Sequence, residues 1–363
     1  MSVRIPFNAL TPGEDAAAVR AAIDRVMASG WFILGPEVEA FETEFAAASR
    51  VPHAVGVGTG TDAITLILRA LDIGPGDEVI TPPVSAAYSA LAVMMAGARP
   101  VFADIDPERL TLDPRRVEAA ITSRTRALLP VHLYGQAADM RALEVIASKH
   151  NLALVEDAAQ AHLGTAGGRP VGAIGVAAAT SFYPTKNLGA LGDGGAVLTR
   201  DAQLAARVKR LRNGGQTSRY HHQEAGANSR LDELQAAILR ARLPWLQKWT
   251  AKRRSIAAQY RSGIANAALH VPREFDTGHV YHLFPVLTPN RDAFQANLRD
   301  RGVETLIHYP VPIPRQPALA SASPAECPVA DRVCSQIVSL PMYPALDDSA
   351  VTAIVASAVA FRP

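Results

Sequence analysis

Lysine is nearly missing from this chain. Of 36 basic residues in 363, five are lysines (Lys149, Lys186, Lys209, Lys248 and Lys252) and the other 31 are arginines. Cysteine is scarcer still. Cys327 and Cys334 are the only two, and their spacing matches no zinc motif and offers no disulfide framework. A reduced, cytoplasmic protein is therefore the expectation. No apolar run approaches the roughly 18 residues of a membrane span. The opening stretch MSVRIPFNALTPGEDAAAV has no apolar signal core. An excess of one charge is missing too. The formal net charge is +2, so no global field recruits nucleic acid or an acidic membrane, and neither is expected as a partner.

What is present is ordinary for a folded chain with a sizeable core: 48% hydrophobic and 19% charged residues. At about 150 residues per domain, the length suggests roughly two domains. From residue 51 to about 211, short β-branched runs (HAVGV, EVITP, RPVFADI, ALLPVHLY, LALVED) alternate with helix-like stretches. That pattern predicts βαβ units and an α/β fold with a mostly parallel sheet. After Gly175, VAAATSFYPTKN and GGAVLTRD read as two strands joined by a turn. A basic amphipathic helix over about 231–263, interrupted by Pro244, follows. Beyond Pro272, a strand in HVYHLFPVLT, a helix, a proline-rich loop and a last helix read as a smaller α+β unit. The boundary is placed at 245, giving a large domain over 1–245 and a small one over 246–363. In open parallel sheets, ligands bind outside the carboxyl ends of the strands.

Three pieces of sequence meet there. In GVGTGTDAITL, residues 56–66, a strand ends, glycines turn the chain and a helix starts near Thr61. Unpaired N–H groups and the positive helix end make an anion site. The spacing is wrong for a Rossmann fingerprint and lacks the Gly-Lys-Ser/Thr of a Walker loop. In LALVEDAAQAHLG a buried strand delivers Glu156 and Asp157, with Gln160 and His162 close behind. The rival roles for this acid are a helix cap or, with His162, a metal ligand. No further His or Cys supplies ligand spacing, so no metal is expected. In SFYPTKNLGALGDGG, Lys186 is the only basic residue between Arg169 and Arg200. A lysine in an apolar setting loses charge stabilisation and becomes a nucleophile fit for Schiff-base chemistry. Its rival role is a buried ion pair with Asp193 or Glu156. An anion cradle, an acid at a strand end and, 29 residues later, an isolated lysine are what pyridoxal phosphate requires of a protein.

These stretches also resemble a known family. VEDAAQAH, SFYPTKNLGALGDGG, GANSRLDELQAA and HYPVPIPRQPAL occur in the order found in the DegT/DnrJ/EryC1/StrS family of pyridoxal-phosphate-dependent sugar aminotransferases. SGWFILGPEVEAFE, GTGTDA, PGDEVITPP and PVHLYGQAADM match its usual wording, so the resemblance covers about residues 29–344. It implies fold type I, the aspartate-aminotransferase fold, and a homodimer with active sites shared at the interface. It implies Lys186 as the Schiff-base lysine and proton shuttle, Asp157 on the ring nitrogen and Gln160 beside the ring hydroxyl. Gly60, Thr61 and Ser181 bind phosphate in that pattern. Asn228 reaches the phosphate in the neighbouring subunit. Tyr183, His308 and Tyr309 resemble sugar-nucleotide contacts. The implied reaction moves the amino group of glutamate, through the pyridoxamine form, to a keto sugar on a nucleoside diphosphate. The wording is nearest members acting at C3 of a 3-keto-6-deoxyhexose. The alternatives are C4 amination, another pyridoxal-phosphate reaction (a dehydratase or an aromatizing synthase) and a regulator without activity.

The sequence departs from the family pattern in places. Ala86 stands where an aromatic usually covers the cofactor ring, which leaves Tyr88 or His162 to compensate or the ring face less covered. Pro314 replaces a histidine and Leu319 a tyrosine in the IHYP segment. Leu163-Gly164 replaces Gly-Ala after DAAQAH. Lys186 itself argues against the dehydratase branch, where histidine takes its place.

Overall fold

The computed structural model describes residues 5–320 and 325–363. Seven strands build the central sheet: β1 (His53–Val57), β2 (Glu78–Thr81), β3 (Arg99–Phe102), β4 (Thr125–Leu128), β5 (Ala153–Asp157), β6 (Ala177–Ser181) and β7 (Gly195–Thr199). Their spatial order is β1-β7-β6-β5-β4-β2-β3. All run parallel except β7, which lies antiparallel between β1 and β6. β5 and β6 are buried along nearly their whole length because both faces of the sheet are covered. One core packs Val55, Leu66, Ile67, Val79, Val155 and Val197. The other packs Phe41, Phe45, Phe182, Leu198, Leu239 and Leu246.

The helices of this unit are α1 (Ala16–Ser29), α2 (Pro36–Ala48), α3 (Gly60–Ala70), α4 (Tyr88–Met95), α5 (Pro114–Ala120), α6 (Met140–His150), α7 (Ala202–Leu211) and α8 (Glu233–Arg242). The expected long helix divides at Pro244. A 3-10 turn, Leu243–Trp245, links α8 to α9 (Leu246–Gly263) because proline cannot donate to the preceding turn yet starts a new one readily.

The C-terminal part holds a two-stranded antiparallel sheet, β8 (Phe284–Leu287) with β9 (Ile337–Leu340). Around it lie α9, α10 (Arg291–Asp300), α11 (Pro328–Gln336) and α12 (Asp348–Val359). Its core is aromatic: Tyr260, Phe284, Phe294 and Phe361. The strand expected in HVYHLFPVLT covers only its second half. The first half spends its backbone elsewhere, with Val280 N–H on Gly135 O (3.0 Å) and Leu283 N–H on Tyr134 O (3.3 Å). No helix among the described residues is long and apolar enough to cross a membrane.

Register places the site. Gly195 of β7 faces Val57 on one side and Ser181 on the other. Asp157 of β5 lies across from Ala179 of β6. The ends of β1, β5 and β6 therefore open at one edge of the sheet.

Candidate active site

The chain leaves β1 at Val57 and enters α3 at Gly60. The helix thus begins one residue before the expected Thr61, because Thr59 caps it: its hydroxyl accepts from Asp62 N–H at 3.0 Å. The Gly60 and Thr61 N–H groups have no acceptor among the described residues. The approach to β6 is too close for a side chain. A Cβ on Gly60 would stand 2.8 Å from Ser181 Cβ and 3.2 Å from Thr180 O. Across the same corner, a Cβ on Gly195 would stand 2.4 Å from Thr59 backbone atoms. Free N–H groups, a positive helix end and the Ser181 hydroxyl side thus form one small concave anion site. Ser229 braces it from outside, accepting from Gly58 N–H (3.0 Å) and donating to Asp62 Oδ2 (2.8 Å). Asn228, the next residue back, is exposed on the single chain.

Asp157 ends β5 and is 5% exposed. One carboxylate oxygen accepts from Ser89 Oγ at 2.7 Å, the other from Ala159 N–H at 3.1 Å. Lys186 sits in the loop between β6 and β7, which is folded on itself by Lys186 N–H to Tyr183 O (2.8 Å) and Ala190 N–H to Phe182 O (2.7 Å). Its ammonium makes no hydrogen bond or ion pair among the described residues. Burial brings its pKa down from 10.5 to about 8, and the Asp157 charge opposes that fall without cancelling it. The rival pairing with Glu156 does not form. Successive strand residues face opposite sides, and Glu156 points away from the lysine. There it meets His132 Nε2 at 3.0 Å and accepts from Gly172, Ile174 and Gly175 N–H.

Gln160 is held at both ends: its Oε1 accepts from Tyr134 N–H (2.6 Å) and its Nε2 donates to Tyr309 OH (3.2 Å). The Tyr309 phenol is pushed up to about 12, chiefly by burial and further by the Asp157 charge. His308 hydrogen-bonds Ser339 Oγ through Nδ1 (3.0 Å), and burial followed by the Lys186 charge lowers it to about 4. Tyr183 is 52% exposed beside the lysine. His162 packs between Phe45 and Phe182, at 6.4 and 5.7 Å between ring centroids, with neither ring nitrogen bonded. Tyr88, at the start of α4, is exposed. Pro314 and Leu319 are buried.

Of the expected residues, Lys186, Asp157, Gln160, His308 and Tyr309 form one connected cluster, with Gly60, Thr61 and Ser181 at the adjoining corner. Asn228 pairs with Asn213 and makes no hydrogen bond to the Lys186 cluster among the described residues. Sequence reading missed Ser89, Tyr134 and His282. His282 reaches the loop of Lys186 through its neighbour, with Nδ1 3.3 Å from Asn187 Oδ1. None has a spacing signal, since each partner is dozens of residues away. A cleft of about 430 Å³ lies against the loop of Lys186, from Pro184 to Gly189, and Asp157, Gln160, Ser181 and Tyr309 do not line it. Its walls include Asp15, Arg242, Trp249, Arg253 and Tyr343.

Comparison with known proteins gives this geometry a class. The solved structure of DesV from S. venezuelae superposes with a TM-score of 0.96 at 48% identity, covering 99% of this chain and 98% of that one. The dTDP-3-amino-3,4,6-trideoxy-alpha-D-glucose transaminase of Streptomyces venezuelae is 51% identical over 350 residues, 95% of this chain and 92% of that protein. The dTDP-3-amino-3,6-dideoxy-alpha-D-galactopyranose transaminase of Aneurinibacillus thermoaerophilus is 46% identical over 338 residues, 93% of each. The fold and these likenesses define a pyridoxal-phosphate-dependent aminotransferase of fold type I. The model of the DegT/DnrJ/EryC1/StrS aminotransferase family matches residues 14–359, and the chain belongs to that family. The residues present fit the cofactor: the glycine-lined helix start suits a phosphate, the buried Asp157 a protonated ring nitrogen and the unpaired Lys186 an aldehyde.

Proposed function

We propose that this enzyme transfers the amino group of glutamate to a keto sugar carried on a nucleoside diphosphate, at C3 of a 3-keto-6-deoxyhexose. The observation that carries the chemistry is the unpaired amine of Lys186, shifted toward its neutral form and facing Asp157 across the mouth of the sheet. The C3 assignment is supported by the two relatives above, whose names both specify 3-amino sugars.

Bound pyridoxal phosphate supplies an aldehyde for the amino group and a protonated ring that draws electrons from the substrate carbon. Lys186 Nζ, low enough in pKa to be partly neutral near pH 7, takes the proton from the donor's α-carbon and later delivers one to the sugar carbon. Asp157, steadied by Ser89, keeps the ring nitrogen protonated. Gly60, Thr61 and Ser181 would anchor the phosphate, and Gln160 would lie beside the ring hydroxyl. Tyr183, His308 and Tyr309 contact the sugar nucleotide.

The enzyme works as a homodimer, with Asn228 contributing to the neighbouring site. Exposed Trp31, Phe32, Ile33 and Tyr220 supply apolar surface for such a partner. We take residues 246–363 as the smaller domain. The unpaired, buried thiols of Cys327 and Cys334 suit a cytoplasmic setting.

The visible spectrum tests this reading. Protein mixed with pyridoxal phosphate should turn yellow, and glutamate should bleach the band. A keto-sugar nucleotide should then restore it and yield an amino sugar whose substituted carbon is read by NMR. A band that persists with glutamate would refute the donor. Absence of any band would refute the role of Lys186.

A further inference from the structure

We propose that Tyr134 is a positioning residue for the amino-sugar half-reaction, setting Tyr309 as a hydrogen-bond donor to the sugar nucleotide. This rests on the aminotransferase reading above, in which Tyr309 contacts that substrate.

Tyr134 lies on the loop that follows β4, in a short turn over Leu133–Gly135. Its backbone is left-handed, with φ 59° and ψ 5°. Glycine adopts that conformation freely, and a residue with a Cβ resists it. The tyrosine held there is 3% exposed, and its polar groups reach three distant segments. Its N–H donates to Gln160 Oε1 at 2.6 Å. Its carbonyl accepts from Leu283 N–H at 3.3 Å. Its phenol donates to the carbonyl of His308, which has no other donor among the described residues. Burial holds that phenol well above its ordinary pKa of 10, so it remains a donor at neutral pH.

Two of these contacts converge on Tyr309. The first orients an amide. A backbone N–H can only donate, so Gln160 must turn its oxygen to Tyr134 and its NH2 group to Tyr309. Gln160 Nε2 then meets the Tyr309 oxygen at 3.2 Å. Tyr309 accepts from Gln160, and its own proton has no acceptor among the described residues. The second contact holds the chain just before Tyr309. On the far side that chain is tied to β9: Leu306 and Ser339 exchange backbone hydrogen bonds at 3.4 and 2.8 Å, and His308 Nδ1 meets Ser339 Oγ at 3.0 Å. On the near side Tyr134 is the tie. One residue thus fixes Tyr309 through its hydroxyl's partner and through the peptide that precedes it. A fixed hydroxyl with an unspent proton, close enough to Asp157 to feel its charge, suits an oxygen of the substrate.

The test uses the cofactor-loaded protein and its two half-reactions. Tyr134→Phe removes one hydroxyl and keeps the ring and the backbone N–H. It should raise the keto-sugar concentration that half-saturates return of the yellow band by about fivefold or more. The glutamate concentration that half-saturates bleaching should stay near wild type. Calorimetry with thymidine diphosphate glucose, which carries no ketone, should show the same weakening. Tyr309→Phe should show this defect too, and the double variant should be no worse than Tyr309→Phe alone, because Tyr134 acts through Tyr309. Losses that add in the double variant would show that Tyr134 acts apart from Tyr309 and overturn the proposal. Equal weakening of both half-reactions with a lowered Tm would make Tyr134 a structural tie only and overturn it too, as would an unchanged keto-sugar half-saturation. Should Tyr134→Phe not fold, a crystal structure of the wild-type protein with thymidine diphosphate glucose decides: the Tyr309 hydroxyl on an oxygen of the nucleotide sugar is expected, and a ligand bound away from it refutes the proposal. If no keto sugar restores the band even in the wild type, the aminotransferase reading fails first.

Discussion

At Lys186 two effects oppose each other and burial wins. Removing the amine from water lowers its pKa, the Asp157 carboxylate raises it, and the result is about 8 against an ordinary 10.5. This has a consequence for stability without cofactor. Between pH 8 and 10.5 the unfolded chain binds more protons at this position than the folded one, so stability rises with pH across that window. Below pH 8 the folded state carries the whole cost, about 3 kcal/mol at most. Lys186→Met should therefore melt above the wild-type apoprotein at pH 7, with the gap closing toward pH 10.5; a gap independent of pH would refute the assignment. The same variant should have no turnover. Ser89 makes a second prediction. Its hydroxyl is a neutral donor to a buried carboxylate, an interaction worth about 1.5–3 kcal/mol. Ser89→Ala should lower kcat by about tenfold or more while cofactor still binds, and an unchanged kcat would show that Asp157 needs no such support.

The elements around the site are held by buried carboxylates. Glu233, at the start of α8, accepts from Gly35, Glu37 and Val38 N–H at 2.8, 2.9 and 2.8 Å, and so serves as the N-terminal cap of α2 from 195 residues or more away. Anionic groups favour helix starts, where N–H groups are unpaired and the dipole is positive. Glu233→Gln keeps one acceptor and loses the charge, and should cost about 2 kcal/mol in urea denaturation. Glu156 does the equivalent for the loop at 172–175. That explains why two adjacent acids at the end of β5 have different tasks: alternation sends Glu156 to the sheet's support and Asp157 to its mouth. The helix break at Pro244 and the antiparallel entry of β7 were both legible in the sequence, because proline and glycine act locally. The short extent of β8 was not, since its lost half is engaged by Tyr134 and Gly135, far away in the chain.

For the whole molecule the prediction concerns two chains. Asn228 is exposed on the single chain, as a residue serving a neighbour should be. Mixed dimers of Lys186→Ala and Asn228→Ala subunits should regain activity, because one of the two sites then has both its lysine and its asparagine intact. Activity no better than that of the Asn228→Ala homodimer would place Asn228 in its own subunit's site. The mass in solution should be twice 38.5 kDa.

The sequence by itself determined the mostly parallel sheet, the two strands joined by a turn after Gly175, and the candidates Lys186, Asp157 and the glycine turn at Gly60. Those signals are local: a strand end, a glycine turn, one lysine among arginines. Only the tertiary structure decided that Ser89 meets Asp157 across 68 residues and that His282 meets Asn187 across 95. It also decided the lowered pKa of the lysine. Hydrogen bonds and desolvation depend on distance in space, and chain separation carries no record of that until the core has packed.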